Sequence, residues 1–224
     1  MFSRLKNSLW IALPVLLLLQ TFAFSDNLLI GQTMKLPTPK TKGKITLEQS
    51  LDERRSQRDY STDDVDWTTL SQLLWAGQGI TENTWGFRTA PSAGGIFPLT
   101  IYICRPEGLY EYIPQGHQVK LIAEEDRRLA LSQASLAQNF IAQAPVCLII
   151  TADSKKVRPK YGGRADRYIY LEAGHAAENI LLQSTALGLS SCPVGAFWDD
   201  IAKRVLSLPD NEDPIYLIPI GYPK

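Results

Sequence analysis

Apolar positions along the chain recur with two periods. Ile169, Ala173, Ala176, Ile180 and Leu187 keep a spacing of about 3.6 residues, and Gly188 follows them. That pattern predicts a long helix over 165–187 closed by glycine. Thr46-Leu47-Glu48-Gln49 has capping-box spacing, with Thr46 as N-cap and Gln49 reaching back, so a helix is predicted from there to about residue 56. Asp66 caps a further predicted helix whose apolar face uses Leu70, Leu73 and Leu74 and which ends at Gly77. Helical pattern also covers 126–142 and 198–207.

The second period is that of strands. Residues 99–104, 109–113, 119–121, 146–151 and 215–220 are β-rich runs, with turns at Pro106-Glu107-Gly108 and Pro114-Gln115-Gly116. Residues 80–96 read as loop. Few strands are separated by single helices of crossover length, which favours an α+β sandwich over a doubly wound sheet.

The first residues follow a different plan. Arg4 and Lys6 precede an apolar run over 9–24, and Ala23-Phe24-Ser25 supplies small residues where a signal peptidase reads. This order predicts a cleavable export signal over 1–25. Pro14 interrupts the run, which is short for a membrane span, so membrane contact is expected only if the leader is retained. Residues 26–44, rich in Pro, Lys, Thr and Gly, read as an extended arm, and the folded domain is placed at 45–224.

Composition narrows the field. The 224 residues are 45% hydrophobic, enough for a core, and 23 Lys and Arg balance 23 Asp and Glu. That balance gives no support to bulk nucleic-acid binding. Three widely spaced cysteines, Cys104, Cys147 and Cys192, form no disulfide framework, and Cys104 and Cys147 read as packed thiols. The two histidines, His117 and His175, lack ligand spacing, so no metal site is expected. No G-x-G-x-x-G or P-loop occurs, which removes the usual tight dinucleotide site. The absence of G-x-S-x-G counts against a serine hydrolase.

Five segments have the residue types for chemistry. Arg54, Arg55, Ser56 and Arg58 offer guanidinium forks and a hydroxyl for a phosphate monoester, or cations that complement a helix end. Pro91, Ser92, Ala93, Gly94 and Gly95 let backbone approach a flat ligand, or make an ordinary turn. Lys160-Tyr161 is an acid/base pair if burial tunes the lysine, or part of a solvated loop. Tyr168, Glu172, His175 and Asn179 form one polar ridge on the long helix, read as an active-site face or a satisfied stripe at a subunit contact. Gly195 and Ala196, after Cys192-Pro193-Val194, present backbone N–H groups or simply close a loop.

In this order, RRSQRDY (54–60), PSAGGIFPL (91–99), KYGGRADRY (160–168), LEAGHAAENILLQSTALGL (171–189) and LIPIGYP (217–223) resemble the FMN-dependent nitroreductase family. The SagB/ThcOx-type dehydrogenase branch is the nearest match. The resemblance implies an α+β homodimer, a mixed and mainly antiparallel sheet flanked by helices, with FMN between subunits. Arg54, Arg55, Ser56 and Arg58 would hold the phosphate and ribityl chain. Residues 91–95 would line the ring, and the backbone at Gly195-Ala196 would face its N5 edge. Hydride would pass from a reduced donor such as NAD(P)H through the flavin to a small organic acceptor. In azoline-oxidising relatives a Lys-Tyr pair is taken as the proton-abstracting base, and Lys160-Tyr161 matches it. Azoline oxidation on a peptide is therefore an alternative, and a flavin-binding protein without turnover is another. The family often places a C-terminal basic residue on the phosphate, whereas here Lys224 follows Gly221-Tyr222-Pro223 directly.

Overall fold

Near-continuous apolar runs become strands buried on both faces, and periodic ones become helices that cover them. The computed structural model describes residues 28–224, so the leader reading lies outside the described residues. Strands β1 (Thr33–Lys35), β2 (Ile80–Glu82), β3 (Phe87–Arg88), β4 (Leu99–Arg105), β5 (Gly108–Ile113), β6 (Gln118–Ala123), β7 (Val146–Asp153), β8 (Ser190–Ser191) and β9 (Glu212–Gly221) alternate with helices. The helices are α1 (Leu47–Glu53), α2 (Trp67–Gln78), α3 (Arg128–Ala134), α4 (Phe140–Gln143), α5 (Ser154–Tyr161), α6 (Ala165–Ala186) and α7 (Asp199–Leu206).

The main sheet has the order β1-β6-β5-β4-β7-β9-β8, and its neighbours pair antiparallel. Its only parallel element among the described residues is the bridge between Ser56 and Ser191. All of β7 is buried. Leu148 and Ile150 face a core completed by Leu70, Leu73 and Leu74 of α2 and Ile169, Ala173 and Ile180 of α6. Cys147 and Ile149 face the opposite core, closed by Leu131 of α3, Ile141 of α4 and Leu206 of α7. This is the α+β arrangement expected. Cys104 and Cys147 are packed thiols, and burial pushes the Cys104 thiol up to about 12.

Four local expectations are corrected. Thr46 caps α1 by accepting from the Gln49 N–H, but the Gln49 amide donates forward to Glu53 rather than back. Gly77 does not end α2. A Cβ there would lie 2.9 Å from Ile101 Cδ1 and Ile180 Cδ1, so the glycine serves the close approach of α2 to sheet and α6, and the helix caps at Gly79. The predicted helix over 126–142 is broken into α3 and α4 by Leu136 and Ala137, both left-handed with φ 57° and 56°. Residues 80–96 contain the β2–β3 hairpin.

Residues Thr33–Lys35 of the arm form an edge strand of the sheet. Thr33, Met34 and Lys35 pair with Lys120, Val119 and Gln118, and Leu36 is buried. Ser71 of α2 donates to Pro37 O at 2.6 Å, and His117 Nε2 lies 2.7 Å from the Ser71 oxygen. Since the Ser71 proton is committed to Pro37, the network assigns His117 Nε2–H as donor to Ser71. His117 Nδ1, 2.9 Å from the Tyr112 phenol, then accepts. A protonated imidazole cannot accept there, and burial lowers the His117 pKa.

The unfolded imidazole takes up its proton near the ordinary value of about 6.5 while the folded one resists. Stability is thus full above that value and lost as pH falls through it. His117→Asn, which tolerates the positive φ, is expected to lose this acid slope. It should cost about 1–3 kcal/mol at pH 8 by stripping a partner from Ser71 and Tyr112. Urea denaturation at pH 8 and pH 5.5 checks both; an unchanged slope excludes His117 as its source.

Candidate functional site

The arginine segment is not helical as expected. Helix α1 stops at Glu53, Arg54 caps it with ψ 121°, and the chain then runs extended beside β8. The helix gives way because sheet pairing competes for its backbone. Gln57 N–H donates to Ser191 O at 3.0 Å, and the buried Tyr60 hydroxyl donates to Gln57 O at 3.0 Å. Arg55 turns back, donating to Asp52 O and Arg54 O at 2.7 Å each. It therefore satisfies helix-end carbonyls, one of the two roles left open. Arg54 lies 3.6 Å from Glu178, and the exposed Arg58 guanidinium sits 5.6 Å above the Phe140 ring.

The same strand β8 carries the chain into the loop 192–197. Val194 and Leu217 exchange two backbone hydrogen bonds, of 2.7 and 3.0 Å, which pin the loop's start. Gly195 and Ala196 are exposed, and their N–H groups donate to no other described residue. The β8 pairing thus sets the segment 54–58 against the strand that leads into a loop with free backbone donors.

A second group forms on the other segments. Residues Ala93–Gly95 make a single 3-10 turn with Gly94 at φ 65° and Gly95 at φ 66°, conformations that favour glycine. A Cβ on Gly94 would lie 2.5 Å from Lys160 Nζ and 2.8 Å from the Tyr161 hydroxyl, so Lys160 and Tyr161 rest on the turn. They do so from a helix, α5, and not from the loop expected: Asp153 caps it by accepting from Lys155 N–H. The Tyr161 and Tyr168 rings meet at 4.6 Å.

The polar ridge of α6 is divided. His175 is exposed, whereas Glu172 is only 3% exposed and lies under the turn, close to the Ser92 hydroxyl. Asn179 donates to Thr89 O at 3.3 Å. Burial raises the Glu172 pKa to about 7, opposed by Ser92 and the nearby Arg88 guanidinium, and its Oε1 has no hydrogen-bond partner. Arg88, which sequence patterning did not single out, donates to Gln78 and stacks 4.7 Å from Phe97.

Glu172 gives a pH effect of opposite sign to that of His117. Between about 4.5 and 7 the folded carboxyl holds a proton the unfolded one has lost, so stability falls as pH rises through that window and is level above it. Glu172→Gln should remove this slope and stabilise the protein by on the order of 1–3 kcal/mol at pH 8. A variant no more stable than the parent at pH 8 in thermal melts would contradict the assignment.

The nitroreductase family matches residues 51–222. The chain belongs to that family. It is an oxidoreductase of the nitroreductase kind, and its α+β sheet flanked by helices is the family's fold. A provisionally named nitroreductase of Methanocaldococcus jannaschii is 39% identical over 198 residues, 86% of this chain and 98% of that protein. The crystal structure of a provisionally named nitroreductase of Ralstonia eutropha JMP134 matches with a TM-score of 0.79 at 30% identity, covering 86% of this chain and 90% of that one. An FMN-dependent nitroreductase of Clostridium difficile R20291 shares the fold at a TM-score of 0.58 and 23% identity, over 78% and 86% of the two chains.

Proposed function

We propose that the chain binds FMN and passes a hydride through it from a reduced donor to a small organic acceptor. The observation that carries this reading is the pairing of the segment that holds Arg54, Ser56 and Arg58 with β8, the strand that leads into the free N–H groups of Gly195 and Ala196. Two guanidinium groups and a hydroxyl suit a phosphate monoester, and unpaired backbone donors suit the polar edge of a flat ring. Bound FMN supplies the two-electron chemistry. Arg54, Ser56 and Arg58 hold its phosphate and ribityl chain, and Gly195-Ala196 presents a donor to the ring edge that gains negative charge. The turn Pro91, Ser92, Ala93, Gly94 and Gly95 lines the ring. NAD(P)H is the proposed donor, stacking only transiently because the chain lacks a nucleotide-binding loop.

A homodimer fits the division of the site into two groups. Leu47 and Leu51 of α1 and Tyr170 and Leu171 of α6 are more than half exposed, a surface suited to a second copy. In such a dimer the turn of one subunit would complete the flavin site of its partner.

Turnover tests the reading. FMN-loaded protein should bleach with NAD(P)H under nitrogen and regain its yellow colour faster when a nitroaromatic or quinone is added. Colour that no acceptor restores faster would favour a flavin-binding protein without catalysis.

A second reading, within the SagB/ThcOx-type branch, is azoline oxidation. It is favoured by the contact of Lys160 and Tyr161 with Gly94. Export through residues 1–25 is also proposed, on the order of basic, apolar and small residues there. The mass of the mature N-terminus checks it, and an intact Met1 in the cytoplasmic fraction would rule it out.

A further inference from the structure

We infer that Gln138 is a positioning residue that holds the Gly195-Ala196 backbone donor at the flavin edge and so tunes the flavin's reduction potential. The inference rests on the FMN reading above and adds to it a residue outside every sequence motif. The loop 195–197 lies between two pinned points. Val194 is bridged to Leu217, and Trp198 N–H donates to Ala134 O at 2.9 Å. Between them Gly195 imposes little backbone preference of its own, so a further restraint is needed to fix where its neighbour's N–H points.

Gln138 supplies that restraint. Its Nε2 donates one proton to Ala196 O and the other to Ser135 O, both at 2.9 Å. The first bond sets the plane of the Ala196–Phe197 peptide. The Ala196 N–H belongs to the adjoining Gly195–Ala196 peptide, which is restrained between that plane and the fixed Val194. Gln138 is itself held by Ser132, whose hydroxyl donates to Gln138 O at 3.0 Å, and by its own N–H donating to Ser135 O at 3.2 Å.

The segment that delivers the amide is strained. Leu136 and Ala137 are consecutive non-glycine residues in the left-handed region, which costs free energy that packing must offset. Both are exposed, so the strain does not serve core packing at those side chains. Its consequence is to turn the chain back so that the Gln138 amide reaches Ala196. Phe140, on the same turn, supports the Arg58 guanidinium. One short segment thereby touches both the phosphate side and the ring side of the first group.

A donor aimed at the ring edge stabilises the reduced, more negative ring over the oxidised one. Losing its alignment therefore makes the bound flavin harder to reduce while leaving the phosphate contacts intact. The test compares full-chain protein, Gln138→Met and Ser132→Ala. FMN affinity is read by fluorescence titration and the two-electron midpoint potential by equilibration with a reference dye. Gln138→Met keeps the volume and removes the donor; Ser132→Ala loosens the same turn and leaves the amide in place.

Gln138→Met should lower the ratio of reduced to oxidised flavin about tenfold at fixed potential, a shift of about 30 mV to more negative values. FMN affinity should stay within about threefold, and Ser132→Ala, which keeps the amide, should shift the potential by clearly less than Gln138→Met. Gln138→Leu serves as a second donorless variant should Gln138→Met fail to fold. An unchanged potential in either donorless variant, or an equal shift in Ser132→Ala, overturns the role of Gln138 and leaves the FMN reading standing. Parent protein that binds no FMN overturns both.

Discussion

Replacing Arg54 and Arg58 together by alanine is expected to weaken FMN binding by about 10²–10⁴-fold, from roughly 1.5–3 kcal/mol for each charge-assisted hydrogen bond lost. Arg54 and Arg58 flank Ser56, which is bridged to Ser191 of β8, and Arg58 is exposed. Their cost to folding should be small: the ion pair of Arg54 with Glu178 is partly exposed, and such pairs contribute little. Arg55→Ala is the internal control. Its guanidinium already serves the carbonyls of Asp52 and Arg54, so this variant should fray the end of α1 and spare FMN affinity. Fluorescence titration of FMN against the three proteins decides the matter. Equal affinity in the double variant would exclude Arg54 and Arg58 from holding FMN.

On the azoline reading proposed above, Lys160→Ala is expected to lower azoline oxidation by about 10²–10⁴-fold, the range for removal of a general acid or base, with FMN affinity held within threefold. The pair sits where the turn is narrowest, since only the absence of a Cβ on Gly94 leaves room for Lys160 Nζ and the Tyr161 hydroxyl. Gly94→Ala should therefore reproduce part of the loss by pushing the pair away, and its φ of 65° adds backbone strain. A Lys160→Ala protein that oxidises a thiazoline peptide at the parent rate would remove the residue from the chemistry. The nitroreductase reading would then stand alone.

The elements most visible in the sequence were those with a strong period. The long helix α6 and strands β4, β7 and β9 bury large apolar side chains at regular spacing, and that regularity survives in one dimension. Helix α5 had no such signal, because Val157 is its only buried residue and Pro159 lies inside it. The arm looked unable to join the fold because it fully buries only Leu36, with Leu28 and Met34 half-buried, and otherwise docks through strand pairing and polar contacts: Pro37 with Ser71, and Lys40 with Gln72. The break at Leu136 and Ala137 carries neither glycine nor proline, so nothing local announces it.

The site was legible as a set of segments and not as an arrangement. Residue types at 54–58, 91–95, 160–161 and 195–196 suggested phosphate, flat-ring and acid/base chemistry before any geometry. Their grouping depends on the pairing of Ser56 with Ser191 and on the contact of Gly94 with α5, long-range events that periodicity does not encode. The ridge on α6 shows the same limit. Helical spacing put Glu172 and His175 on one face, but only packing reveals that the first is sealed beneath Ser92 while the second meets solvent.

Flavin retention tests the central claim most directly. The chain, with and without residues 1–25, is incubated with excess FMN, passed through a desalting column, and its visible spectrum recorded. The arrangement of Arg54, Ser56, Arg58 and the Gly195-Ala196 loop predicts flavin absorbance co-eluting with the protein at about one FMN per chain. Colourless protein under every loading condition would contradict it.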